Sequence, residues 1–161
     1  MLYDLYKDQV FSICLYFFHG DRSVASDVTQ QVFLKLIGSI RQFRGEADFS
    51  TWLYRLVVNS CMDAARSRKS APAIADRVRM ESIGTPGSQE DDFARKEMSN
   101  SVRAAVYALP PKFRIAILLR YFEDLTYEQM AEALHCSMGT VASRLSRGHK
   151  LLAERLKGLR G

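Results

Sequence analysis

Hydrophobic residues along this chain recur every three or four positions. Nowhere do they alternate long enough to read as a strand, so the pattern predicts an all-α protein. Tyr3 to Phe18 predicts a first apolar helix. Gly20-Asp21 interrupts it, with Asp21 placed to cap the next helix. From Val24 onward, Val28, Val32, Phe33, Leu36, Ile37, Ile40 and Phe43 form a wide stripe predicted to be buried. Asp27, Gln30, Gln31, Lys35 and Arg41 lie outside it. Residues 44–48 read as a loop. Ser50 is the expected cap of a third helix, with Trp52, Leu53, Leu56, Val57 and Cys61 inward and Asn59, Asp63, Arg66 and Arg68 toward its polar side and end.

The pattern then lapses. Residues 69–98 carry Pro72, Gly84, Pro86, Gly87, Ser88 and the acidic run Glu90-Asp91-Asp92, with no clear period. So long a stretch is too much for a connector inside one compact domain. The expected organisation is therefore two small helical domains, 1–68 and 99–161, joined by a flexible linker over 69–98. In the second, Val102, Ala105, Val106 and Leu109 form an apolar stripe ending at Pro110-Pro111. Phe113, Ile117, Leu118, Tyr121 and Phe122 form the next.

The following segment reads as a helix-turn-helix. Thr126-Tyr127-Glu128-Gln129 has the form of a capping box. Tyr127, Met130, Ala131 and Leu134 fall on one helical face. The helix stops in His135-Cys136-Ser137, and Ser137 is placed to cap a second helix. That helix has Val141, Leu145 and Leu152 on one side and Thr140, Ser143, Arg144, Ser146, Arg147 and Lys150 around the rest. A short helix, a tight turn and a second helix with a basic polar face suit a DNA major groove.

Charge sharpens this reading. Residues 1–68 hold eight basic against seven acidic side chains, residues 69–98 five against six, and residues 99–161 ten against five. The net charge of +5 therefore resides with the helix-turn-helix, as expected of a phosphate-facing surface. Among the 161 residues, 47% are hydrophobic, enough for real cores. No apolar run approaches the roughly 18 residues of a membrane span, and the Val10–Phe18 cluster lacks the basic leader and cleavage site of a secretion signal. Cys14, Cys61 and Cys136 are scattered, which suits a reduced, cytoplasmic protein. His135-Cys136 has no partner pair at metal spacing. There is no glycine-rich phosphate loop and no nucleophile motif, so neither a metal, a cofactor, a small-molecule substrate nor an enzymatic activity is expected.

Three stretches together carry a family resemblance. They are Asp27-Val28-Thr29-Gln30-Gln31-Val32-Phe33; Phe43-Arg44-Gly45-Glu46 through Phe49-Ser50-Thr51-Trp52-Leu53-Tyr54-Arg55, with Asn59 beyond; and Leu109-Pro110-Pro111, Leu119-Arg120-Tyr121-Phe122 and Gly139-Thr140-Val141-Ala142-Ser143-Arg144-Leu145. The chain resembles the bacterial extracytoplasmic-function sigma factors, the minimal two-domain form of the sigma-70 family. The resemblance implies a protein that binds core RNA polymerase, carries it to promoter DNA, helps open the duplex and is then released. It also implies control by an anti-sigma factor, which would hold the protein transiently at the membrane if itself membrane-bound.

The resemblance further implies roles for particular residues. Arg120, Thr140, Ser143, Arg144, Ser146 and Arg147 match positions that read the −35 element, where a bidentate arginine contact discriminates by about 1–3 kcal/mol. Arg144 has the alternative of pairing with an acid. Ser39, Phe43, Leu56 and Asn59 match a pocket for one flipped base of the −10 strand, Phe43 as an apolar wall and Asn59 as donor and acceptor. Phe43 and Leu56 have core packing as the other reading. Trp52 and Tyr54 are aromatics able to stack on single-stranded bases, with core packing favoured for Trp52. Asp27, Gln30, Gln31 and Leu34 match the face that docks on the polymerase clamp.

The chain departs from the family pattern in several places. The sequence starts at Leu2-Tyr3 where most members have a further turn or two of helix before it, so either the true start lies upstream or the first helix is short. Gln31 stands where an acid is usual, and Ala142 where Lys or Arg is common. Gly148-His149 replaces the usual Ala-Arg, and glycine inside a helix costs about 1 kcal/mol. An operator-binding regulator would need a sensor or dimerisation domain, and none stands out. A protein-interaction module without promoter binding stays open on Ala142 and Gly148.

Overall fold

Asp21 starts the second helix as its position suggests: its Oδ1 accepts from the Val24 N–H at 3.2 Å. Before it, Gly20 at φ +79 turns the chain out of the first helix, its N–H donating to the Leu15 carbonyl at 2.7 Å. The computed structural model describes residues 2–43, 45, 48–69 and 100–160, and among these every regular element is helical. In chain order they are α1 (Leu2–Phe17), α2 (Arg22–Ser39), a 3-10 turn (Ile40–Gln42), α3 (Phe49–Lys69), α4 (described over residues 100–107), α5 (Pro111–Tyr121), α6 (Tyr127–Leu134) and α7 (Met138–Arg160). The linker expected over 69–98 lies almost wholly outside the described residues.

In the N-terminal lobe α1, α2 and α3 pack around Val10, Ile13, Cys14, Phe17, Val28, Val32, Leu36, Leu53 and Val57. Cys14 and Cys61 meet inside it, Sγ to Sγ 3.9 Å. That contact together with burial holds the Cys61 thiol well above its ordinary pKa. The expected cap at Ser50 does not form. Helix α3 already includes Phe49, and the first bond runs from the Trp52 N–H to the Asp48 carbonyl at 3.1 Å, so the chain enters the helix before Ser50.

In the C-terminal lobe α5 starts at Pro111, where a missing N–H costs nothing. Helix α7 crosses α5 and α6 through buried Val141 and Leu145. Gly148 is also buried here. A β-carbon on it would lie 3.1 Å from Ile117 Cγ1, so a glycine that weakens the helix locally permits close approach to α5. His149 beside it turns to Tyr121, whose hydroxyl is 2.5 Å from His149 Nε2.

The two lobes share one contiguous core. Helices α1 and α3 pack against α5 and α6. Tyr16 stacks on Phe122 at 5.1 Å between ring centres. The Arg114 guanidinium of α5 lies 4.6 Å over the Phe17 ring and donates to the Tyr107 and Leu109 carbonyls. Arg114 is only 6% exposed, and burial lowers its pKa to about 10. Its Nε and the Tyr107 hydroxyl are buried without hydrogen-bond partners. Burial pushes the Tyr107 hydroxyl up to about 12. Two further contacts close the seam: the Tyr54 hydroxyl donates to Glu123 Oε2 at 2.7 Å, and Arg55 Nη2 meets His135 Nδ1 at 3.1 Å.

Several expected core positions lie outside. Ile37 is 72% exposed, and Ile40, Val102, Tyr121, Phe122 and Tyr127 are also at the surface. Ile37 follows Leu36 directly, so the ~100° turn per residue carries it past the edge of the stripe that faces α1 and α3. Tyr121 and Phe122 end α5, where the helix runs beyond its partners and Phe122 reaches Tyr16 instead.

Candidate nucleic-acid interface

The helix-turn-helix is built by local bonds that the sequence dictates. Thr126 Oγ1 accepts from the Gln129 N–H at 3.1 Å, and the Thr126 N–H donates to Gln129 Oε1 at 2.8 Å. This reciprocal box starts α6. His135 ends it in the left-handed region, φ 54 and ψ 52, and the Cys136 N–H closes on the Ala131 carbonyl. Ser137 Oγ then accepts from the Thr140 N–H at 3.1 Å, capping α7.

With Val141, Leu145 and Gly148 turned inward, helical geometry sends Ser143, Ser146, Arg147 and Lys150 to the opposite side. All four are exposed. Thr140 and Arg144 flank this face and are half-buried. The Thr140 hydroxyl is 3.0 Å from Ser137 Oγ, and Ser143 donates to the Thr140 carbonyl at 3.3 Å. Among the described residues neither Arg144 nor Arg147 has an acidic partner, so no ion pair must break before either guanidinium meets a phosphate or a guanine. Arg120 is differently placed. Its Nη1 donates to the Leu125 carbonyl at 2.8 Å, and its guanidinium lies 5.4 Å over the Tyr127 ring. It holds the entry to α6.

In the N-terminal lobe, Phe43 lies 5.2 Å from Trp52 and 5.6 Å from Phe49, ring centre to ring centre. Tyr6 joins this cluster through Phe49. Trp52, Leu56 and Asn59 share one stripe of α3 at helical spacing. Trp52 and Leu56 are half-buried, and Asn59 is exposed at the end of the stripe. Ser39 ends α2, its hydroxyl donating to the Lys35 carbonyl at 2.6 Å, and the described contacts do not join it to that stripe. Arg44, Glu46 and Ala47 lie outside the described residues. Tyr54 departs from the stacking expectation: it is 6% exposed, with its hydroxyl spent on Glu123.

The third face lies on α2. Asp27, Gln30, Gln31 and Leu34 are exposed and share one side of the helix. Leu34 is 69% exposed. Ile37, one turn on, extends the same surface. Sequence reading missed it because an isoleucine at the margin of an apolar stripe scores as core; its offset from Leu34 was the available signal. Among the described residues, no three His, Cys, Asp or Glu side chains gather as a metal site, and no helix is long and apolar enough to cross a membrane.

Two family profiles match this chain in order: Sigma-70 region 2 over residues 2–71 and Sigma-70, region 4 over residues 99–152. The chain belongs to the sigma-70 family. Its relatives place it in the extracytoplasmic-function (ECF) branch. This sigma factor is 32% identical to the ECF RNA polymerase sigma factor SigW of Bacillus subtilis, over 97% of this chain and 87% of that protein. It is 31% identical to the RNA polymerase sigma-H factor of Pseudomonas aeruginosa, over 96% of this chain and 83% of that protein. Its fold is shared with the sigma factor RpoE solved with the anti-sigma factor NepR from Bartonella quintana, at a TM-score of 0.72 and 23% identity, over 96% of this chain and 94% of that one. It is also shared with CnrH solved with the cytosolic domain of CnrY, at a TM-score of 0.68 and 19% identity, over 98% and 86%.

Proposed function

We propose that this sigma factor directs core RNA polymerase to specific promoters, reading the −35 duplex with α7 and the melted −10 strand with the Phe43–Asn59 side of the N-terminal lobe. The observation that carries the reading is the outward face of α7. Ser143, Ser146, Arg147 and Lys150 stand exposed on a helix whose depth and angle are fixed by the Ser137 cap and the Gly148 contact with Ile117. Two short serines let the helix sit deep, and the arginines supply forks for guanine edges or phosphates. Residues 1–68 and 99–161 act as separate readers, with 69–98 as the connection between them. The α2 surface of Asp27, Gln30, Gln31, Leu34 and Ile37 docks on the polymerase. The protein contributes recognition and no reaction of its own, acts in the cytoplasm, and takes an anti-sigma factor as a further partner.

Run-off transcription with purified core polymerase and a library of randomised promoters tests this. Transcripts sharing one −35/−10 pair are expected. A folded protein that fails to bind core polymerase sinks the reading, and one that binds it without selecting any promoter is an interaction module instead.

A further inference from the structure

Cys14 of α1 and Cys61 of α3 stand 47 positions apart in the chain, yet their sulfurs lie 3.9 Å from one another inside the N-terminal core. Neither the promoter-reading surfaces nor the polymerase-docking face proposed above uses them. A core position needs volume, which an aliphatic side chain supplies without a reactive atom. Two thiols facing each other bring chemistry as well.

Their surroundings divide that chemistry between them. Cys14 is held below the ordinary thiol range, first by the hydrogen bond from Cys61, with the Thr29 hydroxyl on the same side and burial opposing both. Cys61 is held well above that range by the same hydrogen bond and by burial. The buried Arg114 guanidinium adds a positive charge close enough to act on Cys61 and partly offset that rise. One thiol is thus disposed to lose its proton and its neighbour to keep one, as in an attacking and a resolving cysteine. Cys136, the third cysteine, stands apart in the turn between α6 and α7.

We propose that Cys14 and Cys61 are a redox-active pair, which a small hydroperoxide oxidises to a disulfide that staples α1 to α3. The inference does not depend on promoter reading. The Cys14 thiolate attacks one peroxide oxygen. An S–O bond forms, the O–O bond breaks, and the departing hydroxide takes up a proton and leaves as water. The Cys61 sulfur then attacks the sulfenic sulfur of Cys14. The S–S bond forms, the S–O bond breaks, and the second hydroxide leaves as water with the Cys61 proton. Two thiols lose two electrons and two protons, and one hydrogen peroxide becomes two waters. The sulfurs must close by about 1.9 Å to reach bonding distance, and each swings on a single χ1 bond. Both are shut off from solvent in the resting fold. Hydrogen peroxide is scarcely larger than water and enters on a local opening of the lobe that excludes a bulky thiol reductant. The bond would enclose all of α2 and the first part of α3 in one covalent loop, restricting the unfolded chain.

The test uses full-length Cys136→Ser protein, which leaves the pair as the sole thiols. The folded chain is treated with hydrogen peroxide, quenched, unfolded and alkylated. Both thiols are expected to be lost, and the tryptic peptides carrying Cys14 and Cys61 to run as one species until dithiothreitol separates them. The melting temperature is expected to rise by about 5 °C or more, relative to a Cys14→Ala/Cys61→Ala/Cys136→Ser control treated in the same way. With Cys61→Ala in the Cys136→Ser protein, Cys14 is expected to be trapped as a dimedone adduct of its sulfenic acid. Thiols that remain alkylatable, or oxidation that never links the two peptides, overturn the redox pair. A linked protein that melts no higher overturns the staple. A Cys61→Ala variant without the adduct, in a fold that matches its parent by circular dichroism, overturns Cys14 as the attacking thiol.

Discussion

Gly148 lies so close to Ile117 that a β-carbon at position 148 would sit 3.1 Å from Ile117 Cγ1 and 3.2 Å from Cδ1, tight enough that the isoleucine would have to give by a few tenths of an ångström. Ile117 is itself buried at the centre of α5 and has little room to shift. Gly148→Ala gains about 1 kcal/mol of helix propensity and loses about 1–3 kcal/mol to overpacking. The expected net is a destabilisation of about 1 kcal/mol, larger for Gly148→Val. Urea denaturation decides it, and an alanine variant more stable than wild type would show that the helices can part without cost.

That contact also marks where sequence reading stops. The capping box at Thr126, the Asp21 cap and the Ser137 cap were all legible, because each is a local pairing of a side chain with a backbone N–H three residues on. Gly148 reads as a weak spot in a helix until α5 is seen across from it. The burial of Tyr54 was equally hidden. It depends on the lobe that lies opposite, and residue spacing within one helix carries no information about that. The outward face of α7 was legible since the inward positions Val141 and Leu145 determine it.

Replacing Arg147 separates base reading from charge. Arg147→Ala is expected to cost about 1–3 kcal/mol of discrimination at one position of the −35 element. Lys150→Ala should weaken binding evenly across sequences and lower the salt slope by about 1. Transcription from a single-base promoter library at two salt concentrations reads both. An Arg147 variant that lost activity equally on every promoter would reassign that residue to phosphate.

Asn59 and Phe43 are expected to diverge although both belong to the proposed −10 reader. Asn59 is exposed, so Asn59→Ala leaves thermal stability within about 0.5 kcal/mol and cuts transcription about tenfold or more at a matched −10 element. Phe43 packs on Trp52 and Phe49, so Phe43→Ala lowers stability and transcription together. Melting curves beside run-off yields distinguish the two. Equal stability losses would place Asn59 in the packing and out of the reading.

Glu123 gives the seam a pH dependence with a definite sign. Burial raises its carboxyl above the ordinary 4.5, only partly opposed by the hydrogen bond from Tyr54. Asp8 lines the same groove. A raised carboxyl binds protons in the folded chain that the unfolded chain has already released. Its stabilising effect is therefore complete below 4.5 and lost as pH rises through the folded value. Relative to Glu123→Gln, the wild type should gain stability as pH falls from 7 toward 5. Parallel melting temperatures across that range would remove Glu123 from the account.

The stripe of Leu34 and Ile37 on α2 bears on how the free protein must be handled. Two large aliphatic side chains, each more than two-thirds exposed, face water on the same helix. In a concentrated solution the nearest cover for such a surface is another copy of itself. Sedimentation of the isolated chain should therefore depend on concentration, and Leu34→Gln/Ile37→Gln should abolish that dependence. In a cell the same surface makes solubility a property of partner supply, so production of this chain ahead of anything to bind would lead first to self-association.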